Sequence, residues 1–446
     1  MVELGETRRS STWPLHLVLV WAKHEPERVG ELFRADRALS FGREAPRGLD
    51  EAPRASLFRQ RMGALQPTGA LRSSTLSRKQ WAIFAGPSSI NIESIGRRGL
   101  LHNGQLVDSV DAVEGDVVSV EGVVSFLVER RPVFALPVSA EAPEFGAADR
   151  AGMVGEHPHS WELRRTLELV GRSGHHVIVL GESGVGKELA ARALHRHSDR
   201  AQKSLIARNA ASIPESLVES EFFGHAANYP NQGMPVRPGL IGSAHGGTLF
   251  LDEIAELSEL QQSNLLRVLD QGEYQRLGED RVRRSDLRLI AATNRPAEFL
   301  KADFLARFSE RVRIPGLNER RSDIPLLVQH LLSGTLQSAR RPNQALVESL
   351  VRHEYTVHTR ELERLLRLCL RVSEGESIAP SKEFQAELCF PEAASSIDEA
   401  AVRKAVDSHS TLTAAASSLG LSSRFVLHRL MKKWGIEKDS CLNEGQ

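Results

Sequence analysis

The feature that most constrains this chain is GESGVGKE at residues 181–188, which directly follows the apolar run 177–180 and opens a helix-patterned segment, 189–195. A strand, a glycine-rich turn and a helix in that order predict a phosphate cradle. Gly184 and Gly186 lack Cβ atoms, so successive backbone N–H groups can close around an anion at the helix N-terminus. Lys187 then adds positive charge near the outer phosphates. The spacing GxxxxGK also arises by chance, so a second element is required. It is GGTLFLDEI at 246–254, whose residues 249–251 read as a buried parallel strand with Asp252 and Glu253 at its carboxyl end. Acids there suit ATP chemistry: Asp252 to hold Mg²⁺, directly or through water, and Glu253 to polarise the water that attacks a γ-phosphate. ATP and Mg²⁺ are the expected cofactors.

At 446 residues the chain is long enough for about three domains, and 41% hydrophobic with 26% charged residues is ordinary for globular proteins. Lys plus Arg balance Asp plus Glu at 57 each, so total charge gives no sign of nucleic acid and any basic surface must be local. Cys369, Cys389 and Cys441 have neither CxxC spacing nor matching His clusters, which argues against a zinc site or a disulfide scaffold and fits a reducing cytoplasm. The N-terminus lacks a basic-then-apolar signal pattern, and the early apolar run 15–22 is too short to cross a bilayer. The expectation is a cytoplasmic protein with no membrane partner.

Residues 15–132 contain short β-rich runs, such as 15–21, 89–92 and 117–128, separated by Gly, Pro, Asp and Ser, which predicts an all-β sandwich. Residues 133–151 read as a linker. Beyond it, helix-period segments alternate with strands at 177–180, 248–251 and 287–292, the layout of an open parallel α/β sheet with crossover helices. Residues 397–438 give short helical patterns with a Gly-containing turn, an all-α helix-turn-helix module.

The region 152–388 resembles the AAA+ domain of bacterial enhancer-binding proteins, the activators of sigma-54 RNA polymerase, with an α/β P-loop ATPase core over 152–322 and an α-helical lid over 323–388. Gly181, Glu182, Ser183, Gly184, Val185, Gly186, Lys187 and Glu188 are similar to that family's phosphate loop. Glu188 stands where the general motif has Ser or Thr, so Mg²⁺ has no hydroxyl ligand there. In NAASIPESLVESEFFGH, 209–225, the resemblance assigns Asn209 to holding the catalytic Glu253 between turnovers; in LRLIAATNR, 287–295, it puts Asn294 in the sensor position. Arg360, in YTVHTREL at 355–362, matches the second sensor arginine. The arginines by which one subunit completes its neighbour's site match Lys301 and Arg307, which implies a homo-oligomeric ring. Lys301 is a point charge on a flexible stem where a planar guanidinium would bridge phosphate oxygens, so weakened hydrolysis is expected. At the family's sigma-54 contact loop, GAFTGA is replaced by NYPNQG at 228–233, with Pro230 for the contacting Phe and Asn231 for the Thr. Pro230 and Pro235 stiffen that tip. Ordinary sigma-54 remodelling is therefore not expected.

The N-terminal region resembles a forkhead-associated (FHA) domain, a sandwich that binds phosphothreonine peptides, on LSFGRE at 39–44, LSR at 76–78 and the Asn103-Gly104 turn. The resemblance implies Arg43 and Ser77 as phosphate ligands with Arg78 as a third, since guanidinium and hydroxyl donors give directional, charge-assisted bonds to phosphate. Gln80 replaces that family's structural His, and Arg97–Arg98 fall where an Asn grips the peptide backbone. The stretch 411–436 resembles a Fis-type helix-turn-helix, in which Ser423 opens the recognition helix, Arg424, His428 and Arg429 reach bases, and Lys432 and Lys433 meet DNA phosphates. The leading expectation is an ATP-dependent, DNA-binding transcription regulator gated by a phosphothreonine protein. The competing one is a phosphopeptide-gated DNA-binding adaptor or repressor that binds ATP without contacting sigma-54.

Overall fold

A computed structural model describes residues 13–35, 39–43, 56–61, 64–132, 143–334, 340–373, 375–390 and 399–408, with positions 412, 415, 418, 427, 431 and 436. The chain divides into two compact units. One spans Ala135–Arg320; the other combines Trp13–Arg61 and Leu65–Phe134 with the residues from Arg321 on.

In the second unit, twelve strands among the described residues form the sandwich: β1 (Leu15–Ala22), β2 (Leu32–Phe33), β3 (Leu39–Phe41), β4 (Leu57–Arg61), β5 (Ala64–Gly69), β6 (Trp81–Ala85), β7 (Ile90–Ser94), β8 (Leu100–His102), β9 (Gln105–Val107), β10 (Ser109–Ala112), β11 (Val117–Val120) and β12 (Val124–Arg130). They lie in two sheets, ordered β5-β4-β2-β1-β12-β11-β8-β9 and β10-β7-β6-β3. Leu15, Leu17 and Leu19 alternate into the core between the sheets, beside Phe33, Phe41, Trp81 and Phe126. Phe41 meets Phe126 edge to face at 5.3 Å, the geometry aromatic quadrupoles favour. The run 117–128 is not one strand: Gly122 takes φ 66° and the chain folds back so that Val120 opposes Val124.

The same unit contains the helices α7 (Ile324–Ser333), α8 (Gln344–Arg352), α9 (His358–Val372) and α10 (Lys382–Glu387), numbered here after six in the first unit. The sequence-based division joins them to the ATPase core, whereas their contacts group them with the sandwich. Helix α8 packs across β1 and β12, which explains why Val18 and Val20, on the face of β1 turned away from the sandwich core, are also buried. A last helix, α11 (Glu399–Ser408), contributes Val402, Ala405 and Val406 to a small apolar cluster with Cys389, Ala415, Leu427, Met431 and Ile436. Ser423, Arg424, His428, Arg429, Lys432 and Lys433 lie outside the described residues.

In the first unit the strands β13 (Val177–Leu180), β14 (Leu205–Asn209), β15 (Thr248–Asp252), β18 (Arg288–Thr293) and β19 (Glu310–Arg313) form a parallel sheet in the order β14-β15-β18-β13-β19. A small hairpin, β16 (Glu273–Gln275) with β17 (Val282–Arg284), stands apart. Period-two alternation sends Ile178, Leu249, Leu251, Leu289 and Ala291 into one face. Val177, Val179, Phe250, Ile290 and Ala292 fill the other. Six helices surround the sheet: α1 (Pro158–Arg172), α2 (Lys187–Arg196), α3 (Val218–Phe223), α4 (Gly239–Ser243), α5 (Glu259–Gln271) and α6 (Ala302–Leu305). The fully buried Arg288 guanidinium donates to the carbonyls of Val170 and Gly171 at 2.7 Å each, closing the end of α1. Within the stretch read as a linker, Asp149 pairs with Arg164 at 2.9 Å, so that part is anchored to α1.

Candidate functional site

The phosphate loop leaves β13 at the sheet position where strand order reverses, the usual place for a ligand crevice in an open α/β sheet. Gly184 at φ 81° and Gly186 at φ 105° hold left-handed conformations that turn the chain into α2, whose N-cap is Gly186. A Cβ on Gly181 would sit 2.8 Å from Val185 Cγ2, so the loop closes tightly on itself. Lys187 is buried and donates from Nζ to the Gly181 and Glu182 carbonyls at 3.1 and 3.4 Å. Its charge is therefore aimed back into the loop. These residues fit a polyphosphate: glycine backbone N–H groups at a helix N-terminus with a buried cation behind them. Glu188, on the next position, is exposed and pairs with Arg192 at 2.7 Å instead of facing the loop.

The acidic pair comes to the same place. Lys187 Nζ lies 3.6 Å from Glu253 Oε1, with the two side chains 6% and 19% exposed. The second Glu253 oxygen accepts from the backbone N–H of Asn294 at 3.4 Å, so the carboxylate bridges the ends of β13, β15 and β18. Glu253 itself has φ 52° and ψ 45°, a left-handed conformation that costs a non-glycine residue of order 1–3 kcal/mol and clusters at functional sites. Its N–H donates to Asp252 Oδ1 at 3.0 Å. Asn209 stands opposite Asp252 in the β14–β15 register. Its side chain accepts from Ala211 N–H at 2.9 Å, capping the turn Ala210–Ser212, so the structure forms no Asn209–Glu253 hydrogen bond. Among the described residues no group of three or more His, Cys, Asp or Glu side chains has metal-ligand geometry.

The cations matched to the ring interface are held within the subunit by α5. Arg307 makes a two-pronged pair with Asp270, its Nη2 reaching Oδ2 at 3.0 Å, and that hydrogen bond and charge hold the Asp270 carboxyl below the usual range. Lys301 Nζ donates to Ser263 Oγ at 3.0 Å and lies 3.6 Å from Glu259. Arg360 is exposed in the first turn of α9, in the other compact unit. Sequence reasoning did not find Asp270; its pairing spans 37 residues, and nothing in the local pattern of α5 marks it.

The loop 228–233 folds on its own root. Asn228, at φ 65°, accepts from Gly233 N–H at 2.8 Å through Oδ1 and donates its N–H to the Met234 carbonyl at 2.9 Å. Tyr229 packs over Gly278 beside the hairpin, where a Cβ would come within 2.4 Å of its ring. Below the tip, Gly224 and Gly239 cross so closely that a Cβ on either would lie 2.2 or 2.4 Å from the other strand's backbone.

On the sandwich, Arg43 N–H donates to the Ser77 carbonyl at 3.0 Å and Ser77 Oγ accepts from Arg97 N–H at 3.1 Å. Arg43 is half-buried, while Arg78, Arg97 and Arg98 are exposed. The loops are joined by the fully buried Gln80, which accepts from Ser77 N–H at 3.3 Å and donates to the Arg98 carbonyl at 2.7 Å. Gln80 thus ties the Ser77 loop to the loop of Arg97 and Arg98.

Residues 153–312 match the Sigma-54 interaction domain family. The chain is 40% identical over 236 residues to the anaerobic nitric oxide reductase transcription regulator NorR of Aeromonas hydrophila, covering 50% of this chain and 46% of that one. It is 36% identical over 253 residues to the transcriptional regulatory protein ZraR of Escherichia coli, 54% of this chain and 57% of that one. The chain thus spans about half the length of these relatives. Among solved structures, NtrX from Brucella abortus in complex with ADP is 28% identical, with a TM-score of 0.48 over 64% of this chain and 70% of that one. The residues that match the Sigma-54 interaction domain are thus the ones on which the phosphate loop and the acidic pair are assembled over a parallel sheet.

Proposed function

We propose that this chain is an ATP-dependent, DNA-binding transcription regulator of the sigma-54 activator type. One observation carries the reading: Lys187, rising from a glycine loop at a helix N-terminus, faces Glu253 at 3.6 Å across the carboxyl ends of the sheet. In this reading Gly181 through Glu188 hold the triphosphate, Asp252 holds Mg²⁺, Glu253 orients the attacking water, Asn294 and Arg360 sense the γ-phosphate, and Asn209 holds Glu253 between turnovers. Lys301 and Arg307 act on the neighbouring subunit of a ring. The sandwich receives a phosphothreonine protein through Arg43, Ser77 and Arg78, the segment 411–436 grips DNA, and the protein works in the cytoplasm.

A titration calorimeter and a phosphate-release assay test this. Lys187→Ala abolishes ATP binding, and Glu253→Gln keeps binding while turnover falls by about 10²-fold or more. Unchanged ATP affinity in Lys187→Ala refutes the site.

The loop 228–233 favours a second reading, an adaptor or repressor that uses ATP to set its oligomeric state without engaging sigma-54. Its Asn228 and Tyr229 are committed to the loop's own fold. Turnover without capture of sigma-54 by the protein trapped with a transition-state analogue selects this reading.

A further inference from the structure

The outer face of the sandwich is occupied by α8, and polar side chains make the contact. Glu348, nearly buried on α8, accepts from Ser119 Oγ on β11 at 2.5 Å and from Ser125 Oγ on β12 at 2.7 Å. Gln344, one turn earlier, donates to the same carboxylate at 2.9 Å and accepts from Gly122 N–H at 2.6 Å. A second cluster lies beside it. The buried Arg131 guanidinium bonds Glu129 at 2.8 Å and Ser322 Oγ at 2.6 Å, and Ser322 donates to Glu129 at 2.9 Å. Trp21 Nε1 adds a bond to the Pro342 carbonyl at 3.0 Å. A buried carboxylate that loses its donors is left with the desolvation cost of its charge, so this face is not one that opens freely.

One strut links this interface to the loops around Ser77. Arg98 donates from Nε to the Thr75 carbonyl and from Nη1 to the Glu121 carbonyl, both at 3.2 Å. Thr75 lies two residues before Ser77. Glu121 begins the turn whose next residue, Gly122, donates to Gln344. Among the described residues, the Ser77 loops and the first turn of α8 are therefore joined through Arg98 and the turn 121–123.

We propose that the sandwich and the helical segment from Arg321 onward move as one body, and that Arg98 is the positioning residue through which an anion at the Ser77 loops acts on α8. Its signalling sense rests on the phosphate reading of those loops. A phosphate that draws the Arg98 guanidinium away from Glu121 loosens the turn 121–123 and with it the Gln344 contact. The sandwich is then part of the lid's structure, not a tethered sensor.

Hydrogen exchange measured by mass spectrometry on the full chain tests this without any ligand. Glu348→Ala, and separately the double variant Ser119→Ala with Ser125→Ala, accelerate exchange about tenfold or more in both 117–125 and 344–352. Arg98→Ala accelerates exchange in 119–125 and in 344–348, while Arg97→Ala, which keeps the backbone N–H that bonds Ser77 Oγ and leaves the Arg98 strut in place, does not. If α8 keeps its protection in the Glu348 and serine variants, the single-body proposal falls. If it loses protection there but not in Arg98→Ala, the relay falls. The phosphate reading is judged apart, by calorimetry with a threonine-phosphorylated peptide and its unphosphorylated counterpart: absence of binding removes that reading and the relay's signal, and the exchange results still decide the docking.

Discussion

Glu361 is the residue whose protonation most affects the start of α9. Burial alone raises its carboxyl, but hydrogen bonds from His353 and from the Val357 and Thr356 N–H groups outweigh that and bring it down to about 2. Cys389 N–H donates to His353 Nδ1 at 3.0 Å, which leaves Nε2 to donate to Glu361 at 3.2 Å. Because the folded value is depressed from 4.5, the stabilisation is complete above the unfolded value and is lost as pH falls from 4.5 toward 2. Circular dichroism at decreasing pH should show wild type losing stability through this window, and Glu361→Gln, already less stable at neutral pH, losing less. His358 sets a second local condition, since it is buried with φ 48° at the first position of α9. Thermal melts should find His358→Asn tolerated and His358→Val destabilised by about 1–3 kcal/mol, because a β-branched side chain suits the left-handed region badly. Such residues were only partly legible. The phosphate loop and the acidic pair declare themselves because their chemistry is local in sequence, whereas the Arg307–Asp270 pair and the Gln80 bridge exist only once distant segments meet.

At the scale of elements, α5 holds Lys301 and Arg307 within the subunit. It starts with a capping box at Ser258 and Gln261 and ends at Gly272, φ 68°. Gly272→Ala should lower stability by about 1–2 kcal/mol in chemical denaturation, since alanine resists the left-handed conformation and its Cβ would lie 3.0 Å from the Ser285 carbonyl. The strands show why legibility varies. Interior strands β13, β15 and β18 are covered on both faces and read as apolar runs, so sequence locates each within a residue or so. The edge strands β14 and β19 escape notice because LIARN and ERVR expose alternate or most positions to water. In the sandwich, β4 and β5 are hidden because polar residues interrupt the apolar pattern: half-buried Arg59 and Arg61 and buried Gln60 in β4, and exposed Gln66 in β5.

For the whole molecule, the proposed ring makes a prediction that no single subunit can mimic. Arg307→Ala lacks the group it lends and Glu253→Gln lacks the group it uses, so each alone should be nearly inactive. Mixing the two should restore measurable ATP turnover, because an Arg307→Ala subunit beside a Glu253→Gln neighbour has one complete site between them. Mixtures as inactive as their components would exclude shared sites. The neck beneath residues 228–233 has its own implication. Two glycine backbones cross there with no space for a methyl carbon, which fixes the root, while the residues above it are held by bonds within the loop and by the packing of Tyr229 over Gly278. Such a stem works like a fixed socket: the head it carries can be exchanged for one of different chemistry without altering where on the surface that head is held out.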